Sequence, residues 1–96
     1  MKKKIAILGS TGSIGENTLK IIKKDKKSFQ INLLTTNKNI NKIFKQAREF
    51  KVKNIIISDI YSYNKAKIKF KKSKVNIYNN FDHLNKIIRE KNDIIM

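Results

Sequence analysis

All three glycines of the 96-residue chain fall within seven positions, Gly9-Ser10-Thr11-Gly12-Ser13-Ile14-Gly15, and this cluster is where the residues first point to chemistry. A G-x-x-G-x-x-G run between a strand and a helix meets three physical demands. It allows a tight turn at Gly9, close approach of a diphosphate to the backbone at Gly12, and close helix-to-strand contact at Gly15. Bare amides at the helix N-terminus then face the anion, and the helix dipole adds attraction. The hydroxyls of Ser10, Thr11 and Ser13 offer further donors. Three glycines alone are a weak signal, since a tight loop with incidental glycines reads the same. Their weight comes from lying together in a strand-turn-helix context at the start of the chain. Glu16 and Asn17 stand where a Walker loop needs Lys and Ser or Thr, which disfavours ATP or GTP hydrolysis.

A second segment bears on which nucleotide such a turn would hold. About 20 positions past the glycines of a dinucleotide fold, an acid accepts hydrogen bonds from a free ribose 2′-hydroxyl. Here the chain reads Thr35-Thr36-Asn37-Lys38-Asn39, with no acid, and Lys38 attracts a 2′-phosphate that a carboxylate would repel. This favours NADP over NAD. The seven acids, Glu16, Asp25, Glu49, Asp59, Asp82, Glu90 and Asp93, are scattered and make no acid and base pair. The lone His83 reads as a surface or packing residue. With no Cys, there is no disulfide, thiolate zinc site or thiol nucleophile.

The elements that must position these residues follow from hydrophobic periodicity. Lys3 to Leu8 is a short apolar run ended by Gly9, the pattern of a buried parallel strand. From Ile14 the period becomes helical through Thr18, Leu19 and Ile22, with Lys20, Lys23, Lys24, Lys26 and Lys27 gathered at the far end. Phe29 to Thr35 reads as a second strand. Asn39 is then an N-cap for a helix through Ile40, Ile43, Phe44, Ala47 and Phe50. Asn54 to Ser58 is a third strand. A weaker helix from Tyr61 to Lys71 has a thin apolar face, made either by Ala66 and Phe70 or by Tyr61 and Ile68. Val75 to Tyr78 is a fourth strand, Phe81, Leu84, Ile87 and Ile88 mark a further helix, and Asp93 to Met96 opens a fifth strand. The fold expected is α/β: a Rossmann-like three-layer domain with a parallel sheet of about five strands and right-handed crossovers. A last strand that only begins before the chain stops is expected of a fragment, with residues 1–96 an incomplete dinucleotide-binding domain.

A hydrophobic fraction of 40% with 31% charged residues excludes a wholly disordered tail. No apolar run approaches the ~20 residues of a membrane span, so a cytoplasmic setting without a membrane partner is expected. The formal net charge of +16 would ordinarily suggest nucleic acid, but 21 of the 23 basic residues are lysine, and base recognition favours the arginine fork. A lysine-rich nucleic-acid-binding protein, with Tyr61, Tyr63 and Tyr78 as stacking groups, is the competing reading; it leaves the glycine turn unexplained. Another NADP-dependent Rossmann module is a third.

The run Ile7-Leu8-Gly9-Ser10-Thr11-Gly12-Ser13-Ile14-Gly15 followed by Thr18-Leu19 resembles 1-deoxy-D-xylulose 5-phosphate reductoisomerase. The likeness extends more loosely through Asn37-Lys38-Asn39 to Asp93-Ile94-Ile95-Met96, as if the chain were the first quarter of such an enzyme. The resemblance implies an NADPH-dependent oxidoreductase of non-mevalonate isoprenoid biosynthesis. That family converts 1-deoxy-D-xylulose 5-phosphate to 2-C-methyl-D-erythritol 4-phosphate. It implies cofactor contacts at Gly9, Thr11, Gly12, Ser13, Ile14 and Gly15 around the pyrophosphate, and at Asn37, Lys38 and Asn39 around the adenosine phosphate. Where the family commonly has Gly before Lys-Asn, this chain has Asn37. The divalent metal (Mg, Mn or Co), the sugar-phosphate site and the homodimer interface it implies belong to a full-length enzyme beyond Met96, so the fragment alone is not expected to be catalytic.

Overall fold

The computed structural model describes residues 3–80 and 94–95. Among these residues five strands, β1 (Lys3–Ile7), β2 (Phe29–Thr36), β3 (Asn54–Ile57), β4 (Asn76–Tyr78) and β5 (Ile94–Ile95), form one sheet, accompanied by three helices, α1 (Ser13–Lys23), α2 (Ile40–Phe50) and α3 (Ile60–Lys69). The strand order is β4-β3-β2-β1-β5, and each neighbouring pair is parallel. From β1 the chain steps outward through β2, β3 and β4, and then returns to lay β5 on the other side of β1. That reversal puts the switch point of the sheet at the C-terminal end of β1, where ligands of open α/β sheets bind. The parallel α/β sheet of five strands agrees with the sequence reading. The helix expected around Phe81 to Ile88, and with it His83, lies outside the described residues.

The inner strands β1, β2 and β3 are buried on both faces, which is why their sequences read as largely continuous apolar runs rather than alternating ones. On one face Ile5, Ile7, Ile31, Leu34, Ile55 and Ile57 pack with Leu19 and Ile22 of α1, Ile40, Ile43, Phe44 and Ala47 of α2, and Ala66 of α3. Burying each large aliphatic side chain contributes roughly 1.5–3 kcal/mol. Ala6, Leu33 and Ile56 point to the opposite face, with Tyr78 against them.

Two local readings change and one open alternative is decided. Leu8 is half-exposed and belongs to the turn, so β1 ends at Ile7. Ile14, although at helical spacing with Leu19 and Ile22, is 84% exposed; Gly15 takes the buried position in the first turn of α1. Of the two faces possible for α3, the one with buried Ala66 and half-buried Phe70 packs on the core, while Tyr61 and Ile68 face solvent. The selector is Phe44 of α2, whose ring stacks on Phe70 with centroids 3.6 Å apart and planes 9° from parallel.

Helix ends follow local chemistry. Asn39 caps α2 by accepting from the Lys42 amide at 3.3 Å, and Asp59 caps α3 by accepting from the Ser62 amide at 3.0 Å. At the C-terminal end of α2, Lys51 takes the left-handed conformation (φ 56°) while the Val52 amide donates to the Ala47 carbonyl, a Schellman closure with lysine where glycine is usual. One irregularity lies inside the sheet. Ile5 pairs with Ile31 but Ala6 pairs with Leu33, so Asn32 is an extra residue in β2. The Asn54 side-chain amide donates to the carbonyl of Asn32 at 3.2 Å.

Candidate functional site

The turn leaving β1 is stitched to the end of β2 before any ligand is considered. The Ser10 amide donates to the Thr35 carbonyl at 2.9 Å and the Gly9 amide to the Thr35 hydroxyl at 2.8 Å. The hydroxyls of Thr11 and Thr36 meet at 2.7 Å. These bonds bring together, at the C-terminal end of the sheet, the glycine turn and the segment Asn37-Lys38-Asn39, which the sequence reading joins only by analogy.

Each glycine has its own role. Gly9 sits at φ +68°, a conformation that L side chains rarely adopt. A Cβ at Gly15 would lie 2.4 Å from the Gly9 carbonyl oxygen and 2.6 Å from Ser10 Cα, so the helix can approach the turn only without a side chain there. A Cβ at Gly12 would meet only the Gly9 oxygen at 3.5 Å, an ordinary contact, and would otherwise project into open space. Gly12 is the N-cap of α1 and brings no side-chain cap, whereas α2 and α3 are capped by Asn39 and Asp59. The first amides of α1, from Ser13 and Ile14, therefore have neither an intrahelical partner nor a side-chain cap, and both residues are exposed. With the dipole aligned behind them, they can bind an anion.

Ser10 departs from expectation. It is fully buried, and its hydroxyl donates to Gln46 Oε1 at 2.8 Å rather than facing the outer side of the turn. Gln46 in turn donates from Nε2 to the Ser10 carbonyl at 3.0 Å. The sequence reading missed Gln46, because one glutamine in a lysine-rich helix looks like a solvated position. Its only signal is helical spacing, three residues past Ile43 and six past Ile40.

Asn37, Lys38 and Asn39 are all exposed at the start of α2. Asn37 accepts from the Ser58 hydroxyl at 2.8 Å, which leaves its amide nitrogen to donate. It does not need the left-handed backbone that a glycine would supply, since the positive φ values among the described residues belong to Gly9 and Lys51. The Asn39 oxygen is committed to the cap. The pairing of β2 with β3 also brings an acid near the turn, Asp59, whose amide donates to the Asn37 carbonyl at 3.1 Å. Hydrogen bonds from the Ser62 hydroxyl and amide hold the Asp59 carboxyl below the usual carboxylate range, with a smaller pull from Lys38. Both bonds fall on Oδ2, so that oxygen serves α3. Glu16, one turn into α1, forms an ion pair with Lys42 of α2, whose hydrogen bond lowers its pKa and whose charge offsets an anion's repulsion near the helix end. Among the described residues no three of His, Cys, Asp and Glu gather as a metal site, and no helix is long and apolar enough to cross a membrane.

Comparison with known proteins agrees with this geometry. The family model for 1-deoxy-D-xylulose 5-phosphate reductoisomerase matches residues 5–96. The reductoisomerase of Pelagibacter ubique is 54% identical over 92 residues, which cover 96% of this chain and 24% of that relative. That of Porphyromonas gingivalis is 47% identical over 64 residues, 67% of this chain and 17% of the relative. Among solved structures, the reductoisomerase from Zymomonas mobilis in complex with NADPH superposes with a TM-score of 0.79 at 30% identity, covering 91% of this chain and 23% of its own. A DOX-P reductoisomerase in complex with magnesium gives 0.85 at 30% identity, covering 99% and 24%. The chain thus spans about a quarter of the length of the curated relatives that match nearly all of it. With the family model matching all but the first four residues, the chain belongs to the 1-deoxy-D-xylulose 5-phosphate reductoisomerase family.

Proposed function

We propose that residues 1–96 form the NADPH-binding part of a 1-deoxy-D-xylulose 5-phosphate reductoisomerase, acting in the cytoplasm. The complete enzyme would convert the sugar phosphate 1-deoxy-D-xylulose 5-phosphate to 2-C-methyl-D-erythritol 4-phosphate, as a homodimer. The observation that carries the reading is the uncapped, side-chain-free N-terminus of α1 at the switch point of the sheet. The fit to a dinucleotide is physical: Gly12 opens onto free space, and the Ser13 and Ile14 amides lack partners within the helix. Thr11 and the glycines Gly9 and Gly15 shape the pyrophosphate cradle, while Asn37, Lys38 and Asn39 face the adenosine phosphate. NADPH supplies the hydride when bound. The residues of this chain do no bond-making; they hold the dinucleotide and set its orientation. The described residues bring no three metal-ligating side chains together for magnesium.

Calorimetric titration of the chain with NADPH and NADH tests the reading. Tighter binding of NADPH is expected, and Gly12→Val should abolish most of it by filling the space in front of the helix. Equal, salt-sensitive binding of both cofactors, the behaviour of a general polyanion binder, would count against the reading, as would a Gly12→Val variant with unaltered affinity.

A further inference from the structure

We propose that Gln46 is a positioning residue for the glycine turn, aiming the Thr11 amide at the diphosphate; the inference rests on the NADPH reading above. Among the described residues the buried polar side chains are Ser10, Thr35, Thr36 and Gln46, and all four are bonded into or against this turn. The rest of the core is apolar, and no described buried side-chain polar atom lacks a partner. Burying an amide costs free energy that a leucine or methionine at the same helical position would not, so packing of α2 alone does not call for glutamine. What glutamine adds is a reciprocal pair: Oε1 accepts from the Ser10 hydroxyl at 2.8 Å and Nε2 donates to the Ser10 carbonyl at 3.0 Å.

The second bond has a directional consequence. The Ser10–Thr11 peptide is planar, and the described chain contains no cis peptide bond. Carbonyl and amide on one trans peptide point in opposite directions, so a Ser10 carbonyl drawn inward to Gln46 turns the Thr11 amide away from α2. The Ser10 amide cannot take that role, because it is bonded to the Thr35 carbonyl. Gln46 also lies on the helix capped by Asn39, so one rigid element carries both the anchor of the turn and the segment beside the adenosine phosphate. An amide already aimed needs no ordering when the ligand arrives.

The test uses the full chain, with affinity and stability read separately. Gln46→Met keeps the bulk and removes both bonds. It should raise the Kd for NADPH and for NADH alike, roughly tenfold, the size expected when one pre-aimed hydrogen bond to a charged group is weakened. Ser10→Ala, which leaves the Nε2 bond in place, should change either Kd by less than about threefold. A purely structural role predicts a lower Tm with both Kd values unmoved, and that result would overturn the inference. So would a loss confined to NADPH, which would place the action at Lys38. Should Gln46→Met not fold, the unmodified chain decides by nuclear magnetic resonance. On NADPH addition the Thr11 amide should shift strongly and the Ser10 amide little; binding without a Thr11 shift refutes the proposal. If the unmodified chain binds neither cofactor, the proposed function fails and this inference with it. If it binds and the variants match it, this inference alone fails.

Discussion

Gly15→Ala is the sharpest test of how the turn is built. A methyl at that position would lie 2.4 Å from the Gly9 oxygen, 2.6 Å from Ser10 Cα and 2.8 Å from the Ser10 carbonyl carbon. All three are backbone atoms of the turn, so no side chain can rotate away. The closest contact is about 1 Å short of ordinary van der Waals distance, and relief requires α1 to move off β1 by a comparable amount. That movement loosens Leu19 and Ile22 against the sheet. Overpacking of this kind costs up to about 3 kcal/mol, and alanine recovers at most about 1 kcal/mol of helix propensity over glycine. The expected net destabilisation is about 2 kcal/mol, or a Tm lower by roughly 8–16 °C for a chain of this size. Thermal unfolding followed by circular dichroism measures it, with Gly12→Ala as control, because a Cβ there meets one atom at 3.5 Å and Tm should hold. A Gly15→Ala variant as stable as the parent would show that the close approach of helix and turn is not a constraint.

Other perturbations act on different parts of the same frame. Lys38→Glu should weaken NADPH by about 1–3 kcal/mol more than NADH, the range for a hydrogen bond to a charged group, measured by calorimetry; equal losses would reduce Lys38 to a general attractor. Lys51→Gly should raise stability by about 0.5–1 kcal/mol, since the left-handed conformation penalises a side chain, partly offset by the freer unfolded chain. Denaturant titration reads that gain as a higher midpoint at constant slope. Glu16, Glu49 and Asp59 all have lowered pKa values in the fold, chiefly through hydrogen bonds from Lys42, Lys23 and Ser62 respectively. Depressed acids stabilise above their unfolded values, 4.5 for Glu and 3.8 for Asp, and lose that contribution as pH falls through the folded values. Tm should therefore fall on acidification below about pH 4.5, and a profile flat from pH 6 to 3 would contradict the assignment.

Much of the frame was legible because its signals are local. The break at Gly9, the switch to helical spacing after it, and Asn39 ahead of Ile40, Ile43 and Phe44 all report on backbone conformation within a few residues. What was not legible depends on partners distant in the chain. Ile14 fits the helical period, yet it is exposed because the glycine beside it takes the inward position in the first turn. The face of α3 was undecided until Phe44 chose Phe70. Ser10 reads as one more hydroxyl for a phosphate, and only Gln46, 36 residues away, turns it inward. The segment after β2 carries no carboxylate, yet β3 brings Asp59 beside it, with its Oδ2 taken by Ser62, a proximity that no local pattern announces.

The extra residue in β2 governs more than the ladder it interrupts. Side chains alternate sides along a strand, so inserting Asn32 inverts the parity of everything after it, and Ile31 and Leu34, three apart, share one face. Thr35 and Thr36 share that phase, and their hydroxyls reach Gly9 and Thr11. Excising one codon at position 32 would restore a one-to-one ladder with β1 and leave Thr35 and Thr36 fastening the same parts of the turn. Position 32 is thus a place where β2 can lose a residue without turning its later side chains to the wrong face.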